Sequence, residues 1–205
     1  MRAVQWPGAN QPAHNPQSML SVIIATRDSE RALVRTLAAL VPGATAGLIT
    51  EVLVADAGSQ DDTAAVADVA GCAFLALDGP LGGRLKRAAA AARAPWLLFL
   101  KPGTVLDASW TGEARHFIEQ CQPDAHAAMF RRGAQGQPAL REALSLLLAA
   151  LVARPSPEQG LIISKQFYDR LGGHPEHAVD PEAEFIRRLG RRGAVTLSAT
   201  AFQSR

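Results

Sequence analysis

From Leu20 onward, short apolar runs alternate with stretches whose apolar residues recur every three or four positions. That is the pattern of strands joined by crossover helices. LSVIIAT, Leu20 to Thr26, predicts a first strand. It leads through Arg27-Asp28-Ser29, where Asp28 or Ser29 can cap, into a helix with Leu33, Leu37 and Leu40 on one face, ended at Pro42-Gly43. EVLVAD, Glu51 to Asp56, predicts a second strand that breaks at Ala57-Gly58-Ser59. Ser59 with Asp62 resembles a capping box for a helix ending at Gly71. CAFLALD, Cys72 to Asp78, predicts a third strand, and Gly79-Pro80-Leu81-Gly82-Gly83 a turn before the Ala-rich helix RLKRAAAAARA, which Pro95 stops. WLLFL, Trp96 to Leu100, is apolar throughout, which predicts a central strand covered on both faces.

Beyond Lys101-Pro102-Gly103 the signal weakens. It predicts a helix near Ser109 to Gln120, a strand at HAAMFRR, an apolar helix after Pro138, a short LIIS strand and a helix near Asp180 to Arg192. No internal repeat or composition shift marks a second domain. The expectation is an α/β fold: an open, mainly parallel, right-handed sheet with helices on both faces, over residues 20–205. Residues 1–19, with three prolines and no apolar run, read as a flexible tail.

With 48% hydrophobic and 20% charged residues, 205 residues suit one domain with a sizeable core. Twenty-one Lys and Arg against 19 Asp and Glu give a net charge of +2, which argues against a nucleic-acid partner. Cys72 and Cys121 form neither a disulfide framework nor a CxxC pattern; they fit a reducing, cytoplasmic setting as small buried hydrophobes. The longest apolar stretch, Ala143 to Ala153, lies between Arg141 and Arg154 and falls short of the roughly 20 residues that span a bilayer. It reads as a buried helix or, alternatively, as one lying against a membrane surface, so peripheral association stays open.

Ligands of open α/β sheets bind outside the carboxyl ends of the strands, here Thr26 to Asp28, Asp56 to Ser59, Asp78 to Arg84 and Lys101 to Thr104. Asp56 can accept hydrogen bonds from a base or ribose, or cap its own turn. Gly82-Gly83-Arg84, with Lys86 and Arg87, suits a diphosphate at a helix start, or is a glycine turn followed by a solvated basic face. The fourth strand ends in Lys101-Pro102-Gly103, without the oxygen ligands a divalent ion needs. His174, His177, Asp180 and Glu182 in HPEHAVDPE are metal-capable, but Pro175 and Pro181 favour a surface loop over a metal site.

These motifs resemble those of family 2 glycosyltransferases of the GT-A fold, in particular short, single-domain bacterial members, over about Ser21 to Leu197. SVIIATRDSE is similar to their SVIIPTLNE, with Thr26 at the nucleotide edge and Asp28 in place of Asn. EVLVADAGSQDDT is similar to EVIVVDGGSTDGT, with Asp56 on the acid that contacts base or ribose and Asp61 on the next one. GGRLKRAAAAARAPWLLFL is similar to GRARQLNAGAAAARGDWLLFL, which implies Arg84 near the diphosphate. The family then has an acidic motif whose last Asp binds the Mg²⁺ or Mn²⁺ of the nucleotide-sugar; here Lys101-Pro102-Gly103 stands instead, with Gly103 in that Asp's place.

PSPEQGLIISKQFYDRLGGHP resembles the acceptor-side segment PYGDQGLFVRRSVFEALGGFP and puts Glu158 on its acid. DPEAEFIRRLGRRG resembles EDVEFSRRLRRRG and puts Glu182 on the catalytic base. The resemblance implies a Rossmann-like nucleotide-binding half and an acceptor-side half. It implies inverting, metal-independent transfer from a nucleotide-sugar held by Thr26, Asp28, Asp56, Arg84 and Lys101 to a glycan, lipid-linked or small-molecule acceptor. Its departures equally suit a catalytically impaired relative that keeps nucleotide or nucleotide-sugar binding as a regulatory module.

Overall fold

The computed structural model describes residues 19–121, 125–133 and 155–204. The apolar Ala143 to Ala153 segment and residues 1–18 of the tail lie outside them. In chain order the elements are β1 (Leu20–Thr26), α1 (Glu30–Thr45), β2 (Ile49–Asp56), α2 (Thr63–Val69), β3 (Ala73–Ala76), α3 (Leu81–Ala91) and β4 (Trp96–Leu100). There follow β5 (Thr104–Leu106), α4 (Trp110–Gln120), β6 (Ala127–Arg132), a 3₁₀ turn (Pro157–Gln159), β7 (Leu161–Ser164), α5 (Lys165–Arg170), α6 (Pro181–Gly193) and β8 (Ala194–Gln203). The strands form one sheet in the order β3-β2-β1-β4-β7-β6-β8-β5. β3, β2, β1 and β4 are mutually parallel, and β6 and β8 run with them, so only β7 and β5 are reversed.

Strand alternation divides the interior into two cores. Val22, Ile24, Leu98 and Leu100 face α1, α2 and α4, where Leu33, Leu37, Ala67, Trp110 and Phe117 pack. Ile23, Leu97 and Phe99 face α3, α5 and α6, where Leu85, Ala88, Tyr168, Phe185 and Leu189 pack. All five residues of β4 are buried at the centre of the sheet, as an unbroken apolar run requires. A bulge between Leu20 and Ser21 restores this register: Ile49 and Val52, three apart, still share one core.

Several elements depart from the pattern read in the sequence. α1 runs through Pro42 and Gly43 rather than stopping there. The indole of Trp110 occupies the space a Cβ on Gly43 would take, and its Nε1 donates to the Ala39 carbonyl at 3.1 Å. Tertiary packing thus holds a last turn that proline alone would end. The Ser59–Asp62 capping box does not form, because the Ser59 hydroxyl donates to Asp56 instead. α3 begins at Leu81, so Gly82 and Gly83 are its first turn and not a flexible loop before it. β5, α5 and β8 have no counterpart in the sequence pattern. β8 buries Leu197, Ala199 and Ala201 in alternation, but two of these three inward positions are alanine, so the run carries little apolar alternation. Among the described residues no helix is long and apolar enough to cross a membrane.

Gly82 fixes how α3 meets the segment leading into α6. A Cβ there would run into the Pro175 carbonyl and come within 3.0 Å of the Pro181 side chain. Gly82→Ala is expected to lower unfolding free energy by about 1–3 kcal/mol, read as a lower urea midpoint at unchanged slope.

Candidate functional site at the strand ends

β1 and β2 are in register to their last residues, Thr26 opposite Asp56. Both side chains are almost wholly buried, and the Thr26 hydroxyl donates to Asp56 Oδ1 at 2.7 Å. The same oxygen accepts from the Ser59 hydroxyl at 2.5 Å, while Oδ2 accepts the backbone N–H groups of Gly58 and Ser59, each at 2.8 Å. Asp56 therefore closes its own turn with four hydrogen bonds, which occupy the usual acceptor capacity of a carboxylate. Burial by itself would raise its pKa. The donors from Ser59, Thr26 and Gly58 together outweigh burial and hold the carboxyl below the ordinary aspartate value.

Asp28 sits at the tip of the β1–α1 connection with φ +46°, left-handed backbone that aspartate tolerates. Its N–H donates to Ser59 Oγ at 2.8 Å, and its Oδ1 accepts the Gln60 N–H at 2.7 Å, so the first two connections are stitched together. Asp61 does the same one turn deeper. Its Oδ2 accepts the first N–H of α1, from Glu30, at 3.0 Å, and its Oδ1 accepts the first N–H of α2, from Thr63, at 3.0 Å. The Thr63 hydroxyl, which also donates to Asp61, and the Glu30 N–H lower its pKa. One carboxylate caps two helices, a role the sequence hides because the two starts lie about thirty residues apart.

Arg84, in the first turn of α3, is only 8% exposed. Its Nη1 donates to the Ala55 carbonyl at 2.7 Å and the Thr26 carbonyl at 3.2 Å, and its Nε has no partner among the described residues. Burial lowers its pKa, partly offset by Asp56. The guanidinium thus lies under the strand ends, holding the carbonyls of β1 and β2. Lys86 and Arg87 lie further along α3, where Lys86 pairs with Glu176 at 3.3 Å and Arg87 donates to the Asp78 carbonyl.

At the end of β4, Lys101-Pro102-Gly103-Thr104 is a tight turn: Thr104 N–H donates to the Lys101 carbonyl at 3.1 Å and Gly103 has φ +87°. Proline followed by a positive-φ glycine is the sequence that a type II turn demands. Gly103 is pressed inward, its N–H 2.9 Å from Thr36 Oγ1, and a Cβ there would come 2.7 Å from the Ser204 carbonyl. The Gly103 position is therefore closed to any side chain in this backbone. Lys101 Nζ lies 3.4 Å from Glu182 Oε2, in the first turn of α6. An ammonium at this place opposes a divalent cation, so the residues present do not fit Mg²⁺ or Mn²⁺. Glu182 is mostly buried; burial raises its pKa against the opposing pull of Lys101.

Glu158, in the 3₁₀ turn, pairs with Arg132 of β6 at 2.5 Å. Beside it, Gln159 donates to the Phe130 carbonyl at 2.7 Å and Gly160 packs under Leu100 and Phe130. The structure thus brings Thr26, Asp28, Asp56 and Arg84 into one network and Lys101 with Glu182 into a second; Glu158 belongs to neither. His174 is not on a surface loop. It is buried against Phe99, Tyr168 and Phe185, shares a hydrogen bond between its Nδ1 and the Tyr168 hydroxyl at 2.9 Å, and is kept neutral by burial, with a pKa of about 3. Sequence spacing gave no sign of this pair.

No protein-family model and no curated protein matches the chain. Among solved structures it is similar to residues 1–349 of TarS from S. aureus, with a TM-score of 0.68 and 17% identity over 91% of this chain and 60% of that one. The same piece in complex with UDP-GlcNAc gives a TM-score of 0.67 and 19% identity over 91% of this chain and 59% of that one. Glucosyl-3-phosphoglycerate synthase from Mycobacterium tuberculosis, in complex with Mn²⁺, UDP and glucosyl-3-phosphoglycerate, gives 0.64 and 17% over 92% and 72%. The chain spans about three fifths of the TarS piece. What these likenesses establish is the architecture, that of the GT-A glycosyltransferases.

Proposed function

We propose that the chain binds a nucleotide-sugar along the edge from Asp56 to Lys101 and transfers the sugar, with inversion, to an acceptor hydroxyl without a divalent metal. The observation that carries this reading is the Lys101–Glu182 pair: a cation and a buried carboxylate side by side at the mouth of the central strand. The UDP-sugar complex of TarS and the UDP complex of the mycobacterial synthase, which share the fold, support a nucleotide partner. β2, β1 and β4 are adjacent at roughly 4.8 Å each, so Asp56 and Lys101 stand ~10 Å apart across the edge, about the span from a ribose to a terminal phosphate.

In this reading Glu182 accepts the proton of the acceptor hydroxyl as its oxygen bonds to the anomeric carbon. The bond from that carbon to the diphosphate oxygen breaks in the same displacement, and Lys101 takes the developing negative charge. A carboxylate whose pKa is raised by burial is a stronger base than an exposed one. Thr26, Asp56 and Asp28 shape the nucleotide edge through the turn they hold, and Arg84 acts as a positioning residue beneath it. Glu158 would serve the acceptor side.

A second reading has its own support. The ion pair neutralises both groups that transfer needs. A nucleotide-binding module without transfer fits that fact.

Calorimetric titration with UDP, GDP and dTDP, in EDTA and in Mn²⁺, is expected to show binding by one of them that ignores Mn²⁺; binding that requires Mn²⁺ would overturn metal independence. Turnover of the matching nucleotide-sugar, lost in Glu182→Gln, separates the enzyme from the module. Asp56→Asn is expected to cost about 1–3 kcal/mol at neutral pH, since the new amide meets backbone donors. Because the folded-state pKa of Asp56 is depressed, its contribution is full above the ordinary value of 3.8 and fades as pH falls through the folded value. The gap between wild type and Asp56→Asn in urea melts should therefore narrow below about pH 4.

A further inference from the structure

Lys101 and Glu182 come from elements far apart in sequence and, among the described residues, pair with each other alone. Lys101 is the more exposed, at 36%, and Glu182 the more enclosed, at 15%. The path into α6 is pinned around them. Asp180 caps the helix by accepting the Ala183 N–H at 3.0 Å, Pro175 and Pro181 press on Gly82, and Glu176 reaches Lys86. The carboxylate is therefore held in place by its helix, while the lysine, on a four-carbon stem, is the partner free to swing.

We propose that this pair is an autoinhibitory latch: Glu182 holds Lys101 in the unliganded protein, and the diphosphate of an incoming nucleotide must compete with Glu182 for it. The inference rests on the nucleotide site proposed above and adds its regulation. A diphosphate carries more negative charge than one carboxylate and reaches Lys101 from the open side of the edge, so it wins the ammonium. Glu182 is left enclosed without its counter-ion, a costly state that an acceptor hydroxyl relieves by donating to it. The same contact that weakens donor binding thus keeps the carboxylate occupied until a donor arrives.

The test is a double-mutant cycle on the full chain, read as affinity for UDP, GDP and dTDP and for the corresponding nucleosides. Glu182→Gln removes the competing charge in nearly the same volume and is expected to bind the preferred diphosphate about five- to tenfold more tightly than wild type. Lys101→Met is expected to weaken binding and to abolish the gain from Glu182→Gln. Nucleoside affinity should not respond to Glu182→Gln, because only the phosphates reach the lysine; an equal gain for the nucleoside would mark a general rearrangement and overturn the latch. Glu182→Ala, with its fold checked by circular dichroism, repeats the measurement with the carboxyl deleted. Unchanged or weaker diphosphate binding in both Glu182 variants, with wild type still binding and Lys101→Met weakened, overturns the latch and leaves the nucleotide site standing. No binding of any of the three diphosphates by wild type removes both.

Discussion

Parallel strands that leave a sheet in one direction bring their last carbonyls, and the first N–H groups of the helices that follow, to a single edge, where none has a partner within its own element. That constraint organises this chain. Asp56 answers it for the β2–α2 turn, Asp61 for the starts of α1 and α2, and Arg84 for the carbonyls of Thr26 and Ala55. Ser59, Thr26 and Asp28 then tie these answers to one another. Most of the polar side chains at the edge serve the backbone first. Lys101 and Glu182 are different, since among the described residues their charged heads satisfy only each other. A pair with no backbone to serve is where chemistry is best sought.

The same constraint explains how much could be read from the sequence. The four parallel strands were legible because β1 and β2 carry the apolar stretches Val22–Ala25 and Val52–Ala55, β4 is apolar throughout, and each turn carries Gly, Pro, Asp or Ser. β4 was legible as central because no polar residue interrupts Trp96 to Leu100. β8 was not, since Ala199 and Ala201 bury little area and announce no strand. Nor was the length of α1, which depends on Trp110, a residue remote in sequence, filling the space over Gly43.

For the site, residue types were legible and partners were not. Strand-end position marked Asp56, Arg84 and Lys101, but their roles follow from distances between segments. Arg84 looked like a diphosphate ligand because it follows two glycines at a helix start. Those glycines are instead helical, and Gly82 is bare because Pro175 leaves no room for a side chain. Gly103 looked like a lost carboxylate, and the structure gives it a positive requirement: a turn with φ +87° whose inner face touches Ser204. Lys-Pro-Gly is therefore a turn with its own backbone requirement, with lysine held at its start, and an aspartate placed at Gly103 would not fit it.

Lysine at the start of that turn sets the electrostatics of the transfer reading. A divalent cation offers two charges that no proton transfer alters, whereas Lys101 offers one that Glu182 partly cancels in the unliganded protein. In the proposed latch that cancellation ends when a diphosphate draws Lys101 away. Glu182, enclosed without its counter-ion, then takes the proton of the acceptor hydroxyl and becomes neutral, while the ammonium faces the diphosphate as the bond to the sugar breaks. Base and leaving-group stabiliser are in this way coupled through one contact, 3.4 Å long at the end of a fully buried strand, whose opening frees both groups for the displacement.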